Sequence, residues 1–237
     1  MSDSLFLFLT VAGMYLVRKK QYVFASILGF FSALTRLPGV LLFAPVCFEL
    51  VGDLIREHRA GASGRKYVLH SVGRCLSLLL IPMGLVLYLC LNYQLTGDWF
   101  RFLEYQRENW NQGLGWFFST AEYQTVYGLT ALREQPTVFY GLWLPSLIYL
   151  FGSIAILIAA QKKLRPSYVA YFLLYYAITM GATWLLSAPR YLTAAFPLAL
   201  GLAAITEKRW ADALATTLCT AGLLYYLFAF LQHWSVY

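Results

Sequence analysis

The stretch NYQLTGDWFRFLEYQRENWNQGLGWFFSTAEYQTVYGLTALREQP, residues 92–136, is the one long interval between hydrophobic segments that is neither short nor basic. The chain on both sides of it reads as membrane helix, so the architecture turns on this interval. Thr96 or Asp98 is placed to cap a helix start. From there Trp99, Phe102, Leu103, Gln106 and Trp110 fall on one helical face, with Arg101, Glu104, Arg107 and Glu108 on the rest. That pattern is expected of a helix lying in a membrane interface, apolar face down and charges up. A structured surface loop with aromatic anchors is the plainer alternative.

Composition sets the solvent. Of 237 residues, 60% are hydrophobic and 12% charged, about half the charged share of a soluble domain. The expected fold is therefore all-α: a polytopic bundle of transmembrane helices. The net charge of +7 does not imply a nucleic-acid partner, because the basic residues are dispersed at the ends of hydrophobic runs, where topology accounts for them. Cys47, Cys75, Cys90 and Cys219 lie in or beside apolar segments with no CxxC pair and read as small buried hydrophobes. His58, His70 and His233 are far apart, and neither a metal nor a cofactor is expected.

Hydrophobic runs cover residues 4–17, 22–34, 37–51, 76–95, 138–160, 168–186, 191–205 and 211–231. A span needs about 20 apolar residues. Four runs meet that length and four reach it with their flanks, so about eight spans are expected. They form a single transmembrane domain over residues 1–237, with an outer-face loop at 96–136 that carries the interfacial helix. With the first helix entering from outside, the inner connections hold Arg18, Lys19, Lys20, Arg56, Arg59, Arg65, Lys66, Arg74, Lys162, Lys163, Arg165, Lys208 and Arg209. The outer side keeps Arg36, Arg101, Arg107, Arg133 and Arg190. This distribution places both termini outside. Trp99, Trp110, Trp116, Trp143, Trp184 and Trp234 then fall at or near the outer face, as a lipid-facing working surface or an ordinary aromatic belt requires.

The outer connections carry polar groups that the membrane does not ask for. Thr35-Arg36-Leu37-Pro38-Gly39 is a tight reversal with Arg36 at its apex, and Ser187-Ala188-Pro189-Arg190-Tyr191 is a second short turn with Pro beside Arg. Two such arginines suit a lipid phosphate. Asp3 and the acids of the long loop, Asp98 and Glu104 among them, are candidate carboxylates for proton removal. Trp99, Glu104, Trp110 and Tyr191 are expected to face acceptor or lipid. Glu49, near the inner end of its helix, snorkels and takes no role.

Three segments carry a resemblance: Ser2-Asp3-Ser4-Leu5-Phe6; Ala33-Leu34-Thr35-Arg36-Leu37-Pro38-Gly39; and Pro189-Arg190-Tyr191-Leu192 with Phe196-Pro197. In this order and spacing the chain resembles the PIG-V-type mannosyltransferases, of the GT-C class of polytopic glycosyltransferases. The likeness covers the later part of the family's pattern. It implies a GT-C-like fold and transfer of a hexosyl group, mannosyl in type, from a polyprenyl- or dolichyl-phosphate sugar to a glycan or glycolipid acceptor at the periplasmic or luminal face. It also implies that Arg36 and Arg190 stand at motif positions, with donor-phosphate contact as the role we assign them, and that Asp3 is the acid of its motif. Such enzymes carry their acidic catalytic motif in a first large outer loop. The chain starts at the S-D-S-L-F segment, so the resemblance implies a fragment or a short relative, with the principal base on the absent segment and Asp3 or Asp98 next. Compact loops favour a bacterial cytoplasmic membrane over the endoplasmic reticulum. The competing readings are a transporter or lipid flippase, opposed by helix interiors nearly free of charge, and a non-catalytic accessory subunit.

Overall fold

The computed structural model describes residues 2–111, 113, 115, 117–181 and 188–234, with the side chains of 110 and 117–119 outside the description. Among the described residues every regular element is helical. Four stretches there are long and apolar enough to cross a membrane: Leu37–Arg59, Arg65–Thr96, Pro136–Ala160 and Arg209–Leu231. The chain gathers into two units, one formed by Met1–Tyr105 and Pro166–Tyr175, the other by Gln106–Arg165 and Tyr176–Tyr237.

In the first unit, α1 (Ser2–Arg18) and α2 (Tyr22–Thr35) form a hairpin closed by Lys19, Lys20 and Gln21, with Lys20 in the left-handed region at φ 59°. A 3-10 segment, Leu37–Leu42, runs straight into α3 (Phe43–Arg59). That junction and a continuation through the charged residues after Val51 turn an apolar run of modest length into a 23-residue stretch. After α4 (Arg65–Ser77), α5 (Leu80–Thr96) returns against α2. Helices in hydrocarbon gain nothing from burying apolar surface against each other, so close approach depends on small residues. Ala25, Ser26, Gly29, Ser32 and Ala33 make such a stripe on α2, and all are buried. A Cβ on Gly29 would stand 2.6 Å from Ile81 Cγ1, and one on Gly84 would overlap the Phe30 carbonyl oxygen. The α2–α5 crossing is thus a backbone-close contact set by two glycines.

Gly97 takes the left-handed conformation that ends α5 (φ 75°). The Phe100 amide then donates to Asp98 Oδ1 at 2.9 Å, and α6 (Arg101–Trp110) begins. The capping role expected of Asp98 is present, but Trp99 falls before the helix and stacks on Tyr93 (centroids 4.7 Å apart) instead of joining its face.

The rest of the long interval is helix as well. In the second unit, α7 (Phe117–Glu134) packs against the stretch formed by α8 (Pro136–Val138), a π turn (Phe139–Trp143) and α9 (Leu144–Ala160). Tyr127 stacks on Trp143 with centroids 5.9 Å apart, and Gly128 lets Leu147 and Trp143 come close. α10 (Pro166–Met180) contributes its first ten residues to the first unit; beyond them, the Tyr176 hydroxyl donates to the Leu150 carbonyl at 2.9 Å. The apolar run 191–205 is interrupted: α11 (Ala188–Thr193) stops, Ala195 is extended, and α12 (Phe196–Ile205) starts with Pro197 in its first turn. α12 rests on α9 through Gly201, which faces Ile156 and Ala160. Lys163 donates to the Ala204 carbonyl at 2.7 Å in the last turn of α12, where a cation suits the helix dipole. α13 (Arg209–Leu231) has most of its large apolar side chains exposed, among them Leu218, Leu223 and Phe230.

Candidate functional site

One end of the first unit is built by two of the segments singled out in the sequence. α2 ends at Thr35, and Arg36 becomes extended, its amide still donating to the Ser32 carbonyl at 3.1 Å. The chain then doubles back, with the Gly39 amide donating to the Arg36 carbonyl at 2.8 Å. Gly39 lies directly on the last turn of α2: a Cβ there would stand 2.5 Å from Ala33 N and nearer still to the Ser32 carbonyl. The glycine of this turn is therefore required by space. Pro38 supplies the fixed φ of the first 3-10 turn.

The turn holds Arg36 against α1. Its Nη1 donates to Asp3 Oδ1, and its guanidinium lies over the Phe6 ring, 5.9 Å from the centroid. Asp3 and Phe6 are three residues apart and so share a helix face. Phe6 is fully buried, with Tyr175 6.1 Å away. The Arg36 and Asp3 side chains keep 11% and 20% of their exposure. Both sit where helix dipoles favour them, an acid in the first turn of α1 and a cation just past the C-terminus of α2. The Thr35 hydroxyl is used within its own helix, donating to the Phe31 carbonyl at 2.7 Å.

The other expected positions lie elsewhere. Asp98 is half-buried, its carboxylate accepting from the Phe100 amide. Glu104 pairs with Arg101, whose guanidinium is 4.9 Å from the Tyr105 ring centroid. The hydrogen bond to Tyr105, then the one to Glu104, raises the Arg101 pKa, so this residue keeps its charge. Trp110 ends α6, and its side chain is outside the described residues, as are Trp116, Trp184 and Ser187. Arg190 belongs to the second unit and is exposed on α11, between buried Ala188 and Leu192, with Tyr191 half-buried beside it. The Thr193 hydroxyl is used within this short helix, donating to the Pro189 carbonyl at 2.8 Å.

A second polar constellation at the opposite end of the first unit escapes a reading by topology. The Tyr22 hydroxyl donates to Asp53 Oδ2 at 2.7 Å, and Arg56 donates to Oδ1 of the same carboxylate. Arg74 takes Glu57 with both terminal nitrogens, at 2.7 and 3.2 Å. Lys20 reaches 3.8 Å from Glu57 and 4.0 Å from Asp53. Asp53 and Arg74 are buried. The i, i+3, i+4 spacing of Asp53, Arg56 and Glu57 was the available signal. Nearby, Ser167 donates to Glu49 at 2.5 Å, which gives that carboxylate a structural partner. Among the described residues no three His, Cys, Asp or Glu side chains come together as metal ligands. No protein-family model, curated protein or solved structure matches the chain.

Proposed function

We propose that this chain is a membrane glycosyltransferase of GT-C type, similar to the PIG-V mannosyltransferases. It would move a hexosyl group from a polyprenyl- or dolichyl-phosphate donor to a glycan or glycolipid acceptor at the outer membrane face. The observation that carries this reading is the meeting of Asp3, Phe6 and Arg36: positions of two separate motif segments converge to put a cation and a carboxylate in one partly open site. In the reaction, the acceptor oxygen attacks the anomeric carbon as the bond from that carbon to the phosphate oxygen breaks. The lipid phosphate leaves with the electron pair, and the acceptor proton passes to a carboxylate. Arg36 neutralises charge on the departing phosphate. Asp3 is the carboxylate we favour among those of this chain, since it stands beside Arg36 at the site. Arg190 is proposed as a further phosphate contact on its motif and exposure, and Trp99, Trp110 and Tyr191 as surfaces for lipid or acceptor. All eight apolar runs cross in this reading, with both termini outside and a bacterial cytoplasmic membrane as the setting.

The test is transfer of radiolabelled mannose from polyprenyl-phosphate mannose in membranes holding equal amounts of inserted protein. Arg36→Ala and Arg190→Ala are each expected to lower transfer at least tenfold. Unchanged transfer in both removes the phosphate-binding role proposed for these two arginines.

A further inference from the structure

The apolar stretch Arg65–Thr96, formed by α4 and α5, is 32 residues long, which as helix is about 48 Å. Bilayer hydrocarbon is about 30 Å thick, and spanning helices tilt by up to about 40°. At that tilt the stretch still reaches about 37 Å, so one end stands about 7 Å beyond the hydrocarbon, at headgroup depth. No residue of α5 is charged, whereas α4 carries Arg65, Lys66 and Arg74. The protruding end is therefore that of α4. Arg74 takes Glu57, and the Tyr67 hydroxyl donates to the Leu54 carbonyl at 3.2 Å. These bonds tie α4 to the charged end of α3, so the loop of residues 60–64 between them lies at the same end of the first unit.

Arg59, Arg65 and Lys66 flank this loop and are exposed. None of their side chains makes a hydrogen bond, ion pair or ring contact among the described residues. The carboxylates of α3 are already engaged, Asp53 by Tyr22 and Arg56, and Glu57 by Arg74. Arg65 and Lys66 moreover open α4, where the helix dipole disfavours a cation and the first turn holds no acid. Contacts within the chain thus give these three charges no stabilising partner. Arg65 also heads a stripe at helical spacing, Val68, Leu69, Val72 and Leu76, whose side chains are all exposed and which leads on to exposed Leu79. Apolar side chains below and cations at the tip match the boundary between acyl chains and headgroups.

We infer that this end of the first unit is a docking surface for anionic phospholipid. Its phosphate headgroup meets Arg59, Arg65 and Lys66, and its acyl chains lie along the α4 stripe. A zwitterionic lipid carries its own ammonium beside the phosphate, so the surface selects a headgroup of net negative charge. Each cation near such a headgroup contributes about fivefold in affinity. The inference concerns the membrane and does not rest on sugar transfer.

The experiment titrates the purified full chain, in neutral detergent at physiological salt, against fluorescent phosphatidylglycerol or phosphatidylcholine, with anisotropy as the readout. The wild type is expected to bind phosphatidylglycerol at least tenfold more tightly, a conservative figure for three cations at about fivefold each. The triple change Arg59→Gln, Arg65→Gln, Lys66→Gln should bring the two lipids level. The double change Lys208→Gln, Arg209→Gln, which removes cations at another membrane edge, should leave the preference as it was. No preference in the wild type, or a preference that survives the triple change, overturns the inference. An equal loss in the Lys208, Arg209 variant also overturns it, since net charge and not this surface would then select the lipid. Inorganic phosphate displacing the probe as well as unlabelled phosphatidylglycerol does would overturn the lipid in favour of a soluble anion. Where the triple variant does not fold, the three single changes replace it. Each is expected to lower the preference two- to fivefold, and no reduction in any of them overturns the surface.

Discussion

Replacing Gly39 with alanine is the sharpest perturbation of the candidate site, because it touches no polar group. The new Cβ would stand 2.5 Å from Ala33 N and closer to the Ser32 carbonyl, where an ordinary carbon–oxygen contact needs about 3.3 Å. Both neighbours are backbone, so no side chain can swing away. The turn must lift by about 1 Å, at the upper end of the ~1–3 kcal/mol of a typical overpacking change. A lift of that size also draws Arg36 off Asp3. The assay is reversible unfolding in mixed micelles, run as a double-mutant cycle. Asp3→Asn should cost about 1 kcal/mol in the wild type and close to nothing once residue 39 is alanine. Gly222→Ala is the control, since a Cβ there meets nothing within 4 Å; it should be neutral or stabilise by up to ~1 kcal/mol. A Gly39→Ala cost below about 0.5 kcal/mol, with the Asp3 effect undiminished, would refute the claim that this glycine sets the position of Arg36.

Other expectations follow from the same packing. Gly84→Ala should destabilise by about 2–3 kcal/mol in the same unfolding assay, because its Cβ would overlap the Phe30 carbonyl. Glu57→Gln should cost about 2–3 kcal/mol, since it strips a buried Arg74 of its charged partner. That sits below the 3–5 kcal/mol of a fully buried pair because Glu57 is a quarter exposed. Ser32→Ala should be neutral or stabilise by up to ~1 kcal/mol, because the Ser32 hydroxyl is buried without a hydrogen-bond partner. A clear loss of stability in Ser32→Ala would show a partner for that hydroxyl.

Helix positions were legible where apolar runs were long. The sequence also marked Asp98 as a cap, and Arg36 and Asp3 as positions of interest. It did not join them, since nothing in linear spacing says that residue 3 meets residue 36; the α1–α2 hairpin and the Gly39 reversal do that. In the stretch 92–136 the polar residues mask the helical content of α7, whose Tyr127 and Gly128 pack on Trp143, so the sequence alone suggests a loop with one helix. The Tyr22–Asp53–Glu57–Arg74 network is hidden in the sequence for a different reason. Charges near helix ends are ordinarily explained by topology, and burial, which distinguishes Asp53 and Arg74 from that background, depends on which helices become neighbours.

A charged cluster stands at each end of α1, and the helix couples them as a lever. Its Arg18 end adjoins Lys20, which reaches toward Asp53 and Glu57, while at its other end Asp3 pairs with Arg36. A 17-residue helix is a lever about 25 Å long. Tilting it about 5° around its Arg18 end would carry Asp3 some 2 Å, roughly enough to break a hydrogen bond, while the Lys20 turn scarcely moves.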